Sequence, residues 1–227
     1  SLWSRSRRCA ADWRQHHARC RAVVEAAMTG LPARRTVLVL GSGLLADLPL
    51  AAMARAFDCV VLVDIVHLLA ARRTARRHRN VTLLERDLSG AADFLAGRSA
   101  DLADALLEFS ADRKVDLVVS SMLLSQMPLP FAGRDDLPDL PRRIIENHLA
   151  GLAGFSGRVA LVTDTHYRCV DRSGAVVNED DLLRGVSLPE PPQRWDWMVA
   201  PFGEETRDTA RIHTIAAWPD FPIDRQP

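Results

Sequence analysis

The sequence predicts an open α/β sheet, and three observations carry that reading. Five short runs, at 36–40, 59–63, 81–84, 116–120 and 158–163, are rich in Val and Leu without two-residue alternation. Strands covered by helices on both faces have that pattern. Segments with helical spacing separate the runs, and the first run ends in a Gly-x-Gly turn. The resulting βαβαβαβαβ rhythm is that of a parallel sheet.

Taken in order, residues 7–28 read as one long helix carrying Trp13, Arg14, His16 and His17. Such a helix could fold over a site as a lid, cover a sheet edge, or form a homodimer contact. The segments 48–57, 66–77, 102–109 and 141–152 have helical spacing between the strands. The last quarter breaks the rhythm. Runs at 194–200 and 211–218 are strand-like and lie too close for the crossover of ~12 residues that parallel strands need, so they should pair antiparallel. The expected organisation is a single domain over 1–227. It has a helical extension at 1–30, a core at 36–164 and a C-terminal strand pair within 190–220.

Composition bounds the function. The 227 residues are 48% hydrophobic, with 29 basic and 29 acidic side chains. That describes a globular protein with a real core and gives no whole-chain charge for nucleic-acid binding. The charge is uneven: residues 1–35 hold eight arginines against Asp12 and Glu25, and Arg72, Arg73, Arg76, Arg77 and Arg79 form a second cluster. Lys114 is the single lysine, so the arginine bias reflects composition more than a binding surface. No apolar run approaches the ~18 residues of a membrane span, and no secretory signal pattern opens the chain. Cys9, Cys20, Cys59 and Cys169 are scattered without a Cys-x-x-Cys pair, as expected of reduced thiols in a cytoplasmic protein.

The most informative stretch is Val37-Leu38-Val39-Leu40-Gly41-Ser42-Gly43-Leu44-Leu45-Ala46-Asp47. A strand runs into glycines that allow a tight turn and close approach to a ligand. The next strand ends on Asp64, placed to accept hydrogen bonds from a ribose diol. The spacing also suits a dinucleotide fingerprint, Gly41-x-Gly43-x-x-Ala46, so an NAD(P)-dependent oxidoreductase is one reading. Features favouring S-adenosylmethionine are Asp47 before Pro49, read as a helix cap whose carboxylate competes with a pyrophosphate, and Glu85-Arg86-Asp87 closing the third strand. The chain also leaves no length for a separate catalytic domain.

From Thr36 to Asp164 the sequence resembles the core of class I S-adenosylmethionine-dependent methyltransferases. Gly41 and Gly43 match the glycine loop, Asp64 the ribose acid and Asp87 the adenine-side position, while 116–123 resembles the fourth-strand segment bordering cofactor and substrate. The resemblance implies a Rossmann-like methyltransferase fold: a seven-stranded, mostly parallel sheet with an antiparallel last strand and helices on both faces. It implies S-adenosylmethionine held by Gly41, Ser42, Gly43, Leu44, Asp64, Ile65, Asp87, Leu88, Ser120 and Ser121, with S-adenosylhomocysteine as product and a small-molecule acceptor. Two positions depart from the family. Val39 stands where an acid near the methionine amino group is usual, and Leu45 replaces a third small residue. A non-catalytic binding protein on the same fold is the reading these departures keep open.

Methyl transfer needs alignment of nucleophile and sulfonium more than acid–base chemistry. His166, after the fifth strand run, is the candidate base; Gln126, Tyr167 and Trp197 are candidate substrate contacts. Trp195 and Trp197 share one strand face, as core packing or as an aromatic wall. His213 is expected to face the core or an adjoining helix. His16, His17 and Cys20 lack a second ligand cluster, so no metal site is expected.

Overall fold

The computed structural model describes residues 2–223. An eight-stranded sheet organises it: β1 (Thr36–Leu40), β2 (Cys59–Asp64), β3 (Val81–Glu85), β4 (Val115–Ser121), β5 (Arg158–Asp171), β6 (Val176–Asp181), β7 (Gln193–Ala200) and β8 (Thr209–Trp218). The order is β3-β2-β1-β4-β5-β8-β7, with β6 paired to β5 beside this path. Neighbours from β3 to β5 are parallel, while β8 is antiparallel to both β5 and β7. This is the Rossmann-like arrangement expected, with helices on both sides of the sheet. Successive strands are added in one direction from β1 to β3 and in the other from β4 onward, and such a switch point opens a crevice at the carboxyl ends of the strands.

The continuous apolar runs follow from two-sided burial. Val37 and Val39 pack with Val24, Ala27 and Met53. Leu38 and Leu40 point the other way, into a core with Ile144, Ile145 and Phe155. Each strand residue therefore feeds one of two cores, and alternation would leave a polar group in one of them.

The helices are α1 (Leu2–Arg8), α2 (Ala10–Met28), α3 (Leu50–Ala56), α4 (Leu69–Ala75), α5 (Ala92–Leu95), α6 (Leu107–Ser110) and α7 (Leu140–Ala153). The single N-terminal helix expected at 7–28 is two, interrupted at Cys9, where φ is −91° and ψ 15°. Buried Trp13, His16, Cys20, Val23, Val24, Ala27 and Met28 of α2 recur at helical spacing and form one face. That face lies against β4, β5, β7 and β8. No helix among the described residues is long and apolar enough to cross a membrane.

Three expected helices, those at 48–57, 66–77 and 102–109, are shorter than read. The segment before α4 is held as a loop because the His67 N–H donates to Glu85 Oε1 (3.2 Å) and its ring is bonded to Leu84. Before α6, Asp104 accepts from the Leu106 N–H at 2.9 Å and fixes a turn. The larger difference is β6, an eighth strand where seven were expected. Residues 164–167, placed by the sequence after the fifth strand run, continue β5, which turns at Gly174 (φ 88°) into β6. Asp171 Oδ1 accepts from the Ser173 and Ala175 N–H groups and fixes that turn. Every residue of β6 is exposed, so its sequence, VVNEDD, carries no burial pattern to read.

Candidate functional site

The loop leaving β1 is built on left-handed backbone: φ is 79° at Gly41, 48° at Gly43 and 63° at Leu45. Gly41 is also sterically required, because a Cβ there would lie 2.8 Å from Leu123 Cβ and 2.9 Å from the Ser121 carbonyl oxygen. A Cβ on Gly43 would meet nothing within 4 Å. Leu45 therefore keeps the backbone turn of a third glycine, at a cost of about 1–2 kcal/mol. Burial of its side chain, 7% exposed, offsets that cost.

Asp64 ends β2 opposite this loop. Its Oδ2 accepts from the Gly43 N–H and its Oδ1 from the Ile65 N–H, both at 2.8 Å. A carboxylate has about four lone-pair positions, so two remain. Two cavities meet at Asp64, Leu123 and Gln126. The first, of about 320 Å³, is lined by Ile65, Asp87, Leu88, Met127 and Phe131 among others. The second, of about 150 Å³, runs from Gly41, Gly43 and Asp47 to Trp13, His16, His17 and Trp197.

Asp47 does not cap α3, whose N-terminus carries no side-chain cap bond. Its carboxylate instead turns into the second cavity and accepts from Ser121 Oγ at 2.8 Å. Burial pushes its pKa up, while the Ser121 hydrogen bond and the nearby His17 and Arg21 pull against that rise. The departure at Val39 is thus accompanied by an acid eight residues later on the same crevice.

Beyond Asp47 the second cavity is aromatic. The His16 ring of α2 stacks on Trp197 at 3.9 Å and 6°, and Trp13 meets Trp197 edge-on at 5.1 Å. Trp195 Nε1 donates to His16 Nδ1 at 3.2 Å, and Trp13 Nε1 donates to the Val199 carbonyl at 3.1 Å. Burial first, then His17 and His213, lower the His16 pKa to about 3, so the ring is neutral near pH 7. Behind Trp197, His213 Nδ1 lies 2.7 Å from Asp164 Oδ2, and Ser125 Oγ donates to Asp164 Oδ1.

Of the residues singled out in the sequence, Gly41, Gly43, Leu44, Asp64, Ile65, Asp87, Leu88, Ser121, Gln126 and Trp197 line these cavities. Four others are turned elsewhere. Ser42 is buried and donates to His67 Nδ1 (3.3 Å), and Ser120 is bonded to His148 Nε2 (3.0 Å). Tyr167 stands 5.9 Å from the His213 ring, and its hydroxyl accepts from Asn178 Nδ2 at 3.2 Å outside both cavities. His166 points to the opposite sheet face, 38% exposed, with Nε2 3.3 Å from Glu179 Oε2. The base candidate read from sequence is thus outside the crevice, because β5 runs on through this position and alternation turns its side chain away. His213, expected to face core or helix, stands beside the aromatic wall. Its pairing with Asp164 joins residues 49 apart, and no local spacing signals that. Among the described residues no three His, Cys, Asp or Glu side chains are grouped to hold a metal ion.

No protein-family model matches the chain, and no curated protein matches it. Solved structures with a similar fold include the N-methyltransferase NodS from Bradyrhizobium japonicum in complex with S-adenosylhomocysteine. The identity is 14%, covering 90% of this chain and 87% of that one, with a TM-score of 0.43. A second is 1,6-didemethyltoxoflavin-N1-methyltransferase from Burkholderia thailandensis, bound to 1,6-didemethyltoxoflavin and S-adenosylhomocysteine. Here the identity is 14%, covering 94% and 84%, with a TM-score of 0.45. A third is the YcgJ protein of Bacillus subtilis, at 10% identity, 86% and 97% coverage and a TM-score of 0.44. These are likenesses of fold; what the crevice can hold follows from this chain's own residues.

Proposed function

We propose that the chain binds S-adenosylmethionine across the two cavities and transfers its methyl group to a small-molecule acceptor. The observation that carries this reading is Asp64, fixed by two backbone amides at the junction of both cavities with acceptor capacity left over. The remaining lone pairs suit a ribose diol. In the first cavity, Ile65, Leu88 and Phe131 offer apolar surface to a purine. Asp87 there gives one oxygen to the Ser89 N–H (2.9 Å) and keeps the other for an exocyclic amine.

In the second cavity Asp47 takes the role that an acid at position 39 would have. It offers a carboxylate to the α-ammonium group, and Ser121 orients it. The same carboxylate beside the glycine loop repels a pyrophosphate, which weighs against the dinucleotide reading. A bound sulfonium supplies an electrophilic methyl group. The chain's part is to align the acceptor and exclude water, and α2 places Trp13, His16 and His17 over the crevice to do so.

The test is a thermal-shift titration with S-adenosylhomocysteine and, separately, NADH. The proposal expects S-adenosylhomocysteine to raise Tm and NADH to leave it unchanged. Stabilisation by NADH alone replaces it with the oxidoreductase reading, and stabilisation by neither supports a protein that has lost cofactor binding.

A further inference from the structure

On the sheet face that carries α2, α3 and α4, a groove of about 450 Å³ runs along α3 from Leu45 to Arg55. Its floor is apolar, with Leu48 and Leu50 buried, Ala52 half-buried and Ala51 exposed. Its rim carries Arg21, Arg55 and Arg77, and Glu25 is its one acid among the described residues. Hydrogen bonds fix the rim. Arg21 donates to the Ala46 carbonyl. Asn80 Nδ2 donates to the carbonyls of Ala54 (2.9 Å) and Phe57 (2.8 Å), which ties the turn after α4 to the end of α3. The arginines here differ from those elsewhere. Arg98 pairs with Asp93, Arg134 with Asp136 and Arg168 with Asp196. Arg55, Arg73, Arg76, Arg77 and Arg79 are exposed and make no ion pair among the described residues, and residues 65–84 contain no Asp or Glu. Composition accounts for the number of arginines but not for this lack of partners. Like charges gathered without counter-charges repel, and an acidic partner relieves the repulsion.

We propose that the groove docks an acidic amphipathic helix of a partner protein. The helix lays its apolar stripe on Ala51 and Ala52, whose small side chains let a second backbone approach closely. Its flanking carboxylates accept from Arg21, Arg55 and Arg77, in the paired geometry that a guanidinium fork favours. Arg21 gives one N–H to Ala46 and keeps the others. With seven residues α3 is about 10 Å long, which matches about two turns of a docked helix. Arg73, Arg76 and Arg79 lie outside the groove lining, extend the positive field and steer the encounter. The apolar floor and Glu25 weigh against a phosphate backbone, which would lose hydration there without gaining a partner. The concave shape weighs against a flat membrane surface. None of the groove's residues lines either cavity of the crevice, so docking can be measured apart from cofactor binding.

The probe is a fluorescein-labelled peptide of leucine, alanine and glutamate, about 18 residues or roughly five turns long, with leucine at every i, i+3, i+4 and i+7. A scrambled peptide of the same composition and an RNA hairpin are the comparison probes. By fluorescence anisotropy on the full chain in about 150 mM salt, the patterned peptide should bind saturably with a Kd of about 10 μM. The scrambled peptide and the RNA should bind at least about tenfold more weakly. Arg55→Glu combined with Arg77→Glu should weaken the patterned peptide about tenfold or more, and raising the salt to about 0.5 M should weaken it as well. Ala51→Glu should also weaken it about tenfold, because it sets a carboxylate under the apolar stripe. Arg207→Glu, at an exposed arginine outside the groove, should leave binding unchanged. All of these positions are exposed, so far-UV dichroism should be retained in each variant. No binding of the patterned peptide, equal binding of the scrambled one, or tighter binding of RNA overturns the proposal. So does binding indifferent to the Arg55 and Arg77 pair or to Ala51→Glu, or an equal loss in Arg207→Glu.

Discussion

The two cavities of the crevice are built in contrasting ways. The cavity at the ends of β2 and β3 takes its acids, Asp64 and Asp87, from strand ends 23 residues apart, and they bond neighbouring backbone amides. The cavity under α2 brings together Trp13, Asp47, Ser121 and Trp197 from across most of the chain. Its hydrogen bonds reach across the fold, as from Trp13 to Val199 or from Trp195 to His16. A nucleotide-sized site can be made from one turn and two strand ends. An acceptor site shaped to one molecule needs side chains that only tertiary packing brings together.

Each prediction below sharpens or breaks that contrast. The largest effect is expected at Gly41, which both cavities depend on. Gly41→Ala adds left-handed strain of about 1–2 kcal/mol and a clash with Leu123 and the Ser121 carbonyl. Together these should cost roughly 3 kcal/mol, a fall in Tm of about 6–12 °C by calorimetry. An unchanged Tm would mean that the loop is not held as described. Next, Asp64→Ala should weaken S-adenosylhomocysteine about 100-fold by titration calorimetry, the size expected for two charge-assisted hydrogen bonds.

The third effect belongs to the aromatic side alone. His16 has a folded pKa of about 3, below its unfolded value, so the unfolded chain binds the extra proton between them. Stability from the neutral ring is complete above about pH 6.5 and is lost as pH falls toward 3. By pH 5 the loss should be about 2 kcal/mol. Urea denaturation at pH 7 and pH 5 should show that much less acid sensitivity in His16→Gln than in the parent. Equal sensitivity in the two would remove His16 from the account. The smallest effect is at Asp47: Asp47→Asn should weaken S-adenosylhomocysteine about tenfold. It should leave 5′-methylthioadenosine, which lacks the amino-acid end, unaffected.

Legibility in the sequence followed the same division. The runs at 36–40, 59–63 and 158–163 lie within observed strands because two-sided burial forces apolar residues at every position. Gly41, Gly43 and Asp64 could be placed because turn and strand end are local features. β6 was not legible, since an exposed strand needs no hydrophobic pattern. His166 was misplaced because the fifth strand was ended at 163, and the alternation of its continuation was not applied. Asp47 reads locally as a cap, and only the fold turns it toward Ser121. The His213–Asp164 pair depends on the register of β5 against β8, where the bulge between Asp164 and His166 shifts the facing residues. No periodicity specifies such a bulge.

The most direct measurement is a crystal structure of the protein with S-adenosylhomocysteine. The account predicts both ribose hydroxyls within hydrogen-bond distance of Asp64, the purine beside Leu88 and the ammonium group on Asp47. A ligand bound elsewhere, or a ribose with no contact to Asp64, would contradict it.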